Sequence, residues 1–255
     1  MPVRPRTSPR VSAAGRLAIV LLAAACSLPH LSCMSFWKSI YKTLKGSRTV
    51  EEVLADIGPG AEARLLRRFT DAGEAYPPDG AYLVAYKQER VLELWARGPI
   101  RTTLVHTYTV TAASGTLGPK LREGDLQVPE GIYGVMELEP NSDYYLGLKL
   151  DYPNSTDLAN ARADGRTNPG SDIYIHGRDY SEGCLAVGDR AIEELFTLAA
   201  RTGPGKIKVI IGPQRFENGI PVRSGLPGWT EALYAEIERA IRDAGLTERG
   251  GRVRP

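Results

Sequence analysis

The sequence predicts a mainly β domain, a mixed two-layer β sandwich or barrel-like arrangement, with helical extensions at its N- and C-terminal ends. Short runs rich in β-branched and aromatic residues recur between residues 79 and 217, separated by Gly, Pro and Asn turns. Apolar residues at three- and four-residue spacing mark the flanking segments 34–78 and 226–246 as helical. A chain of 255 residues has room for one such domain with appendages.

The first 26 residues have the composition of an export leader. Four arginines and no acidic residue precede an apolar run from Leu17 to Ala25, which is shorter than a membrane-spanning helix. Cys26 resembles the lipidated cysteine of bacterial lipoproteins, although Leu22 lies four positions before it instead of the usual three. Lipidation would anchor the mature chain to a membrane, whereas ordinary cleavage would release it into the periplasm or cell envelope. Both alternatives place the protein outside the cytoplasm.

Charge and motif content argue against several classes of function. Without the four leader arginines the formal net charge falls from +2 to −2, so nothing indicates nucleic-acid binding. His-Glu-x-x-His, Cys-x-x-Cys and calcium-loop patterns are absent, so we expect neither a metal site nor a cofactor. Cys26 and Cys33 lie in or near the leader, and we expect Cys184 to be a free thiol.

The elements are predicted in chain order as follows. Val53 and Ile57 belong to a first helix that Gly58-Pro59-Gly60 interrupts, and a second short helix follows. Strands are predicted at 81–86, 91–96, 104–110, 132–138, 144–150, 173–175 and 207–211, the first two as a hairpin. A polar excursion with a short helix occupies 158–168, and further helices cover 190–201 and 229–244. Asp189 is the expected N-cap of the first of these, His106 is interpreted as structural, and the tail 247–255 is expected to be disordered.

One stretch, from Ile173 to Val187, carries the candidate chemistry. A strand, a tight loop and a short return strand would bring His176 and Cys184 together across the mouth of a hairpin, with Gly177 and Gly183 easing the turn. An imidazole can convert a nearby thiol to its nucleophilic thiolate and hold it as an ion pair. The same residue types also fit a buried, inert cysteine and a structural histidine.

These residues resemble the active-site signature of a known family. His-Gly at 176–177 and Ser-Glu-Gly-Cys at 181–184 are similar to the motifs of the L,D-transpeptidases, bacterial cysteine enzymes that cross-link or trim peptidoglycan stem peptides. Further motifs of the same kind occur in the family's order, at 118–125, 128–133, 152–157, 165–167 and 209–213. The resemblance therefore covers roughly residues 80 to 217.

The resemblance implies the L,D-transpeptidase fold and a role for each matching residue. Cys184 would attack a stem-peptide carbonyl to form a thioester, and His176 would act as base and then as acid. Gly177 or Ser181 would hold the imidazole, and backbone N–H groups around Gly183 would bind the oxyanion. The expected substrate-binding residues, each with a structural role as the alternative, are Lys120, Arg122, Arg166, Arg178 and Tyr152.

One departure from the family pattern bears on specificity. Many members continue Gly-Cys with an apolar residue and then Arg, whereas Leu185-Ala186 follows here. The chain thus resembles a divergent subgroup, some of whose relatives are amidases that cut peptides or attached proteins from peptidoglycan. Three hypotheses result: a transpeptidase, a hydrolytic amidase or peptidase with the same thioester, and a noncatalytic wall-binding domain in which Cys184 is inert.

Overall fold

The computed structural model describes residues 47–217, 219–220 and 224–247. The predictions about the leader, Cys26, Cys33, the start of the N-terminal extension and nearly all of the tail fall outside these residues. Within the described residues, no helix combines the length and the apolar character needed to cross a membrane.

Helix α1, Val50–Asp71, begins at a capping box. The Thr49 side chain accepts a hydrogen bond from the Glu52 N–H, and the Glu52 carboxylate accepts one from the Thr49 N–H. The predicted interruption at Gly58-Pro59-Gly60 is wrong, because the helix continues through Pro59. Pro59 costs about 3 kcal/mol inside a helix. Burial of Val53, Leu65 and Phe69 on both sides of it recovers more, at about 1.5–3 kcal/mol each.

In the described residues, nine strands form one curled, mixed sheet, which confirms the predicted mainly β class. They are β1 Gly80–Tyr86, β2 Val91–Arg97, β3 Thr102–Thr109, β4 Ala112–Ala113, β5 Gly131–Glu139, β6 Gly147–Leu150, β7 Tyr174–His176, β8 Leu185–Ala186 and β9 Ile207–Gly212. The order across the sheet is β3-β2-β1-β9-β5-β6-β7-β8-β4. The pairs β1/β9 and β7/β8 are parallel, and all others are antiparallel.

Strand β5 belongs to both halves of the curled sheet. Residues Gly131 to Gly134 pair with β9, and residues from Val135 to Glu139 pair with β6. One hydrophobic cluster contains buried side chains from both halves, among them Leu83 and Ile175. The half that carries the predicted site and the half built from the first hairpin therefore share one core.

Three further α-helices occur in the described part of the chain. Helix α2, Ser155–Ala163, begins three residues before the predicted polar excursion and overlaps it, α3 is Asp189–Thr202, and α4 is Thr230–Asp243. Asp189 is not the N-cap of α3; Gly188 is, at φ +79°, and it makes no side-chain cap. The Asp189 carboxylate instead accepts hydrogen bonds from the backbone N–H and the guanidinium of Arg178.

A buried carboxylate joins α1 to α3. Glu194 is fully buried and accepts hydrogen bonds from Arg64 Nε at 2.6 Å, Arg68 Nε at 2.8 Å and the Tyr108 hydroxyl at 2.9 Å. His106 Nδ1 lies 2.8 Å from the Arg68 guanidinium, which can only donate. His106 thus contacts this structural network, in agreement with its interpretation as a structural histidine.

Candidate active site

His176 ends β7 with its imidazole held by the backbone. Its Nδ1 lies 2.7 Å from the Gly177 carbonyl oxygen, and since a carbonyl only accepts, Nδ1 carries the proton. Nε2 is left with its lone pair, buried and without a hydrogen-bond partner. Gly177 leaves no room for a side chain, because a Cβ there would lie 2.9 Å from the Tyr144 carbonyl oxygen. Of the two expected holders of the imidazole, Gly177 makes the contact.

Tyr144 covers one face of the His176 ring. The two rings stack with centroids 4.6 Å apart and planes inclined by 27°. Burial lowers the pKa of His176, while the hydrogen bond to Gly177 acts in the opposite direction. The imidazole is therefore neutral at neutral pH. No motif in the sequence identified Tyr144 as a residue of the site. It lies in the loop between β5 and β6.

Cys184 directly precedes β8, and its thiol contacts the backbone of the neighbouring strand. The Tyr174 N–H donates to Sγ at 3.4 Å, and Sγ lies 3.8 Å from the Asp172 carbonyl oxygen. Cys184 is half-buried and not in a disulfide. Burial raises the pKa of its thiol to about 11. The resting thiol is therefore protonated.

The predicted hairpin between His176 and Cys184 is wrong, because β7 and β8 run parallel. Ile175 is in register with Leu185, which places Cys184 beside Tyr174 and two residues back from His176 along the strands. That offset is about 6.6 Å along the strand direction. The thiol therefore contacts the backbone of β7 two residues before His176, in the strand that ends with the imidazole. No hydrogen bond joins them in this conformation, and the expected ion pair is not formed.

Three hydrogen bonds stabilise the loop that carries the thiol, and together with the backbone between Gly183 and Cys184 they form a closed ring. The Gly183 N–H donates to Ser114 Oγ at 2.6 Å, and the Ser181 hydroxyl donates to the Cys184 carbonyl at 2.7 Å. Because the Ser181 proton is used there, Ser114 Oγ donates across the 3.0 Å between the two hydroxyls. The Gly183 N–H, expected to bind an oxyanion, is thus engaged. Gly183 itself adopts φ +101°, a conformation that favours glycine.

The expected substrate-binding cations make mostly structural contacts. Lys120 pairs with Asp125 at 2.5 Å, and Arg178 pairs with Asp189 at 2.6 Å. Arg166 binds Asp164 and donates to the Leu121 carbonyl at 2.6 Å. Among the described residues, the exposed guanidinium of Arg122 has no such partner. The substrate-binding role of these side chains stays a prediction.

Tyr152 lies in the core and not in a groove. It is 5% exposed, its hydroxyl donates to the Pro169 carbonyl at 2.8 Å, and its ring meets Tyr133 edge to face at 6.0 Å. These contacts correspond to the structural alternative for this residue. No group of three or more His, Cys, Asp and Glu that could hold a metal occurs in the part of the chain that the structure describes.

Comparison with known families identifies the domain. Residues 80–211, just over half of the chain, match the L,D-transpeptidase catalytic domain. The chain belongs to this family. The L,D-transpeptidase match runs from the start of β1 into β9 and includes both His176 and Cys184, so the two residues lie within the catalytic domain as the family defines it.

Two relatives of this L,D-transpeptidase domain are the YafK proteins of Escherichia coli strain K12 and of Escherichia coli O157:H7, whose description as L,D-transpeptidases is itself provisional. Each is 37% identical over 139 residues, which cover 52% of this chain and 54% of the relative. The chain thus matches about half the length of these relatives.

Solved structures also show similarity at lower identity. The helical cell shape determining protein Pgp2 of Campylobacter jejuni is 22% identical, with a TM-score of 0.44 over 53% of this chain and 48% of that chain. L,D-transpeptidase 1 of Mycobacterium tuberculosis is 14% identical, with a TM-score of 0.29 over 52% of this chain and 62% of that chain.

Proposed function

We propose that this chain is an exported cysteine acyltransferase of the L,D-transpeptidase type that acts on peptidoglycan stem peptides. The observation that carries the proposal is a free Cys184 thiol in contact with the backbone of β7, the strand that ends in a His176 whose Nε2 has no hydrogen-bond partner. The hydrogen bond from Nδ1 to Gly177 leaves Nε2 as the basic nitrogen. Membership of the family supports acyl transfer as the use of this pair.

The reaction begins from a neutral thiol and a neutral imidazole. As Sγ attacks the carbonyl carbon of a stem-peptide amide, His176 Nε2 takes the thiol proton. The imidazolium then gives that proton to the leaving amine as the C–N bond breaks, and a Cys184 thioester remains. An acceptor amine attacks the thioester, Nε2 takes a proton from it, and the thiol is restored as the C–S bond breaks.

Burial keeps the two groups neutral until the substrate arrives. It raises the pKa of Cys184 to about 11 and lowers that of His176, so an ion pair is disfavoured in the free protein. Proton transfer to Nε2 then accompanies attack, when the negative charge passes from sulfur to the carbonyl oxygen. The Cys184 N–H is the donor we assign to that oxygen, since the Gly183 N–H is engaged by Ser114.

Hydrolysis of the same thioester is the second candidate function, as an amidase or peptidase that releases peptides or attached proteins from peptidoglycan. Leu185 and Ala186 are buried in β8, where many family members have an arginine after the first of these positions. This chain has Ala186 where those members have the arginine. The difference favours an acyl donor or an acyl acceptor other than the one those members use. The two functions share every step up to the acyl-enzyme and differ in whether an amine or water resolves it.

Intact-mass spectrometry of the mature protein with a stem tetrapeptide tests the proposal. We expect an acyl adduct that maps to Cys184 and is absent from Cys184→Ala, a variant that keeps Cβ and should keep the fold. Conversion to a cross-linked product on addition of an amine supports transpeptidation, and release of free acid alone supports hydrolysis. An equal adduct on Cys184→Ala, or turnover by that variant, would contradict the assigned nucleophile.

Export is part of the proposal and rests on the composition of residues 1–26. The mass of the N-terminal peptide of the mature chain distinguishes a lipidated form from one produced by ordinary signal cleavage. A diacylglycerol-modified Cys26 at the new N-terminus indicates a membrane anchor, whereas an unmodified N-terminus after Ala24 or Ala25 indicates ordinary cleavage. An intact leader would contradict export.

A further inference from the structure

The residue before Gly183-Cys184 is a carboxylate, and the structure places it at the end of a line of rings. The His176 imidazole stacks on Tyr144, and Tyr144 stacks on Tyr180 with centroids 6.1 Å apart and planes inclined by 24°. The Tyr180 hydroxyl donates to Glu182 Oε1 at 2.8 Å. The line thus leads from the buried base to an oriented carboxylate at the protein surface.

Tyr180 and Glu182 remain accessible although they are ordered by these contacts. Tyr180 is 53% exposed, which is unusual for a large ring that already stacks on another. Glu182 is exposed and forms no ion pair within the described residues. An exposed aromatic face beside an unpaired carboxylate is the combination that binds an ammonium group, through Coulomb attraction and cation–π contact together.

Other charged side chains near the thiol are already paired. Lys120 pairs with Asp125 at 2.5 Å, and Lys149 pairs with Asp172 at 2.7 Å. Glu182 therefore contributes an uncompensated negative charge two residues from Cys184. A cationic group that approaches the sulfur gains from this charge, and an anionic group is repelled.

We propose that Glu182, with the ring of Tyr180, forms a subsite for an ammonium group of the molecule that reacts at Cys184. This inference deepens the proposed function, since amine-bearing stem peptides are its substrate class. The ammonium belongs either to the acyl donor or to the acceptor amine before it loses its proton. In both cases the carboxylate selects for charge beside the thiol.

The first test needs no turnover. Full-length protein is treated with three methanethiosulfonates that carry trimethylammonium, sulfonate or no charge, and the modified Cys184 peptide is quantified by mass spectrometry. In each, the Cys184 thiolate attacks the sulfenyl sulfur, a disulfide forms and methanesulfinate leaves. The ratio of the cationic to the anionic rate cancels any change in thiol pKa.

We expect the wild-type ratio to exceed that of Glu182→Gln by about tenfold. Tyr180→Leu, which removes the ring, should lower it by about threefold, and Tyr180→Phe should lower it less. Asp179→Asn is the matched control, because it removes the same charge from an exposed position of the same loop. A ratio unchanged in Glu182→Gln, or lowered equally in Asp179→Asn, would overturn the subsite.

The second test uses the proposed substrate. Acyl-adduct formation and aminolysis are each compared for a stem peptide with a free side-chain amine and for its N-acetylated form, and the step that loses its preference in Glu182→Gln identifies donor or acceptor. If wild type forms no adduct while the reagent ratio still depends on Glu182, the proposed function fails and the subsite stands. If adducts form with the same preference in both proteins, the subsite fails and the function stands.

Discussion

The ring of Tyr144 lies face to face with the imidazole of His176, with centroids 4.6 Å apart. Such a contact is worth about 0.5–1.5 kcal/mol beyond burial, which corresponds to a factor of about 2 to 10 in a rate that depends on ring orientation. We expect Tyr144→Phe to keep the acylation rate within about twofold and Tyr144→Ala to lower it by up to about tenfold.

The same substitution should move the pKa of His176. Burial lowers that pKa, so removal of the covering ring in Tyr144→Ala admits water and should raise it toward its ordinary value. Titration of the His176 ring protons by NMR measures the change, with Tyr144→Phe as control. An equal pKa in the alanine variant would show that the stack does not shield the base.

Ser114 and Ser181 should act as one unit. Ser114→Ala leaves the buried Gly183 N–H without its acceptor, and the free energy of unfolding should fall by about 1–3 kcal/mol. Ser181→Ala breaks the same ring at the Cys184 carbonyl. The double variant should lose less than the sum of the two, because the second substitution acts on a ring already open. Urea unfolding measures all three, and strict additivity would contradict the coupled ring.

The rate of alkylation of Cys184 should continue to rise well above neutral pH. Because burial raises the thiol pKa to about 11, the rate with iodoacetamide should rise about tenfold per pH unit between pH 7 and 10. Mass spectrometry of the Cys184 peptide follows the rate. A rate that levels off above about pH 9.5, as for a free cysteine peptide with a pKa of about 8.5, would contradict the burial of the thiol.

The raised pKa also predicts a pH-dependent stability. A thiol whose folded pKa lies above its unfolded value stabilises the fold while protonated, and this contribution is lost as pH rises from about 8.5 toward 11. Cys184→Ala lacks the titrating group. The wild type should therefore lose stability relative to this variant across that window, as measured by urea unfolding.

Glu194 should be the most costly single acidic residue to remove from the described helices. Glu194→Ala would leave the guanidinium groups of Arg64 and Arg68 partly buried without their shared carboxylate, at a cost of about 3–5 kcal/mol. Glu193→Ala is the matched control, since it removes an adjacent, more exposed partner of Arg64. Equal losses of unfolding free energy in the two variants would contradict the central position of Glu194.

The same network gives a prediction on the acid side. Burial acts to raise the pKa of Glu194, but the hydrogen bonds from Arg68, Arg64 and Tyr108 outweigh it and leave the pKa below its ordinary value. This contribution to stability is present above the unfolded pKa and is lost as pH falls through the folded one. Glu194→Gln should therefore differ from wild type least at the acid end of the stability profile.

Local signals in the sequence were sufficient for the fold class and for the choice of His176 and Cys184 as candidates, whose catalytic role stays a prediction. His176 and Cys184 lie within one short signature, and most strands have the β-branched composition and turn residues that mark them. The parallel direction of β8 relative to β7 could not be predicted from the local sequence. Its two residues are stabilised by β7 on one side and by β4 on the other, and β4 lies far earlier in the chain.

The surroundings of the pair depend on contacts that spacing cannot reveal. Tyr144 and Ser114 reach the site from loops distant in sequence, and neither has a motif of its own. The cations Lys120 and Arg166 matched family positions, but a charge pattern does not predict which acidic residue will form an ion pair with each one. Continuity of α1 through Pro59 likewise depended on tertiary burial that outweighs a local helix breaker.

Strand β5, which pairs with β9 through its first residues and with β6 through its later ones, determines where insertions and deletions can be tolerated. Loss of one residue from β5 would reverse the facing of side chains in one half relative to the other, because the side-chain period of a strand is two. An added residue in the turn between Arg97 and Thr102, next to the edge strand β3, would leave the register of β5 unchanged. We therefore expect natural length variation among homologues to accumulate at that turn and to spare β5.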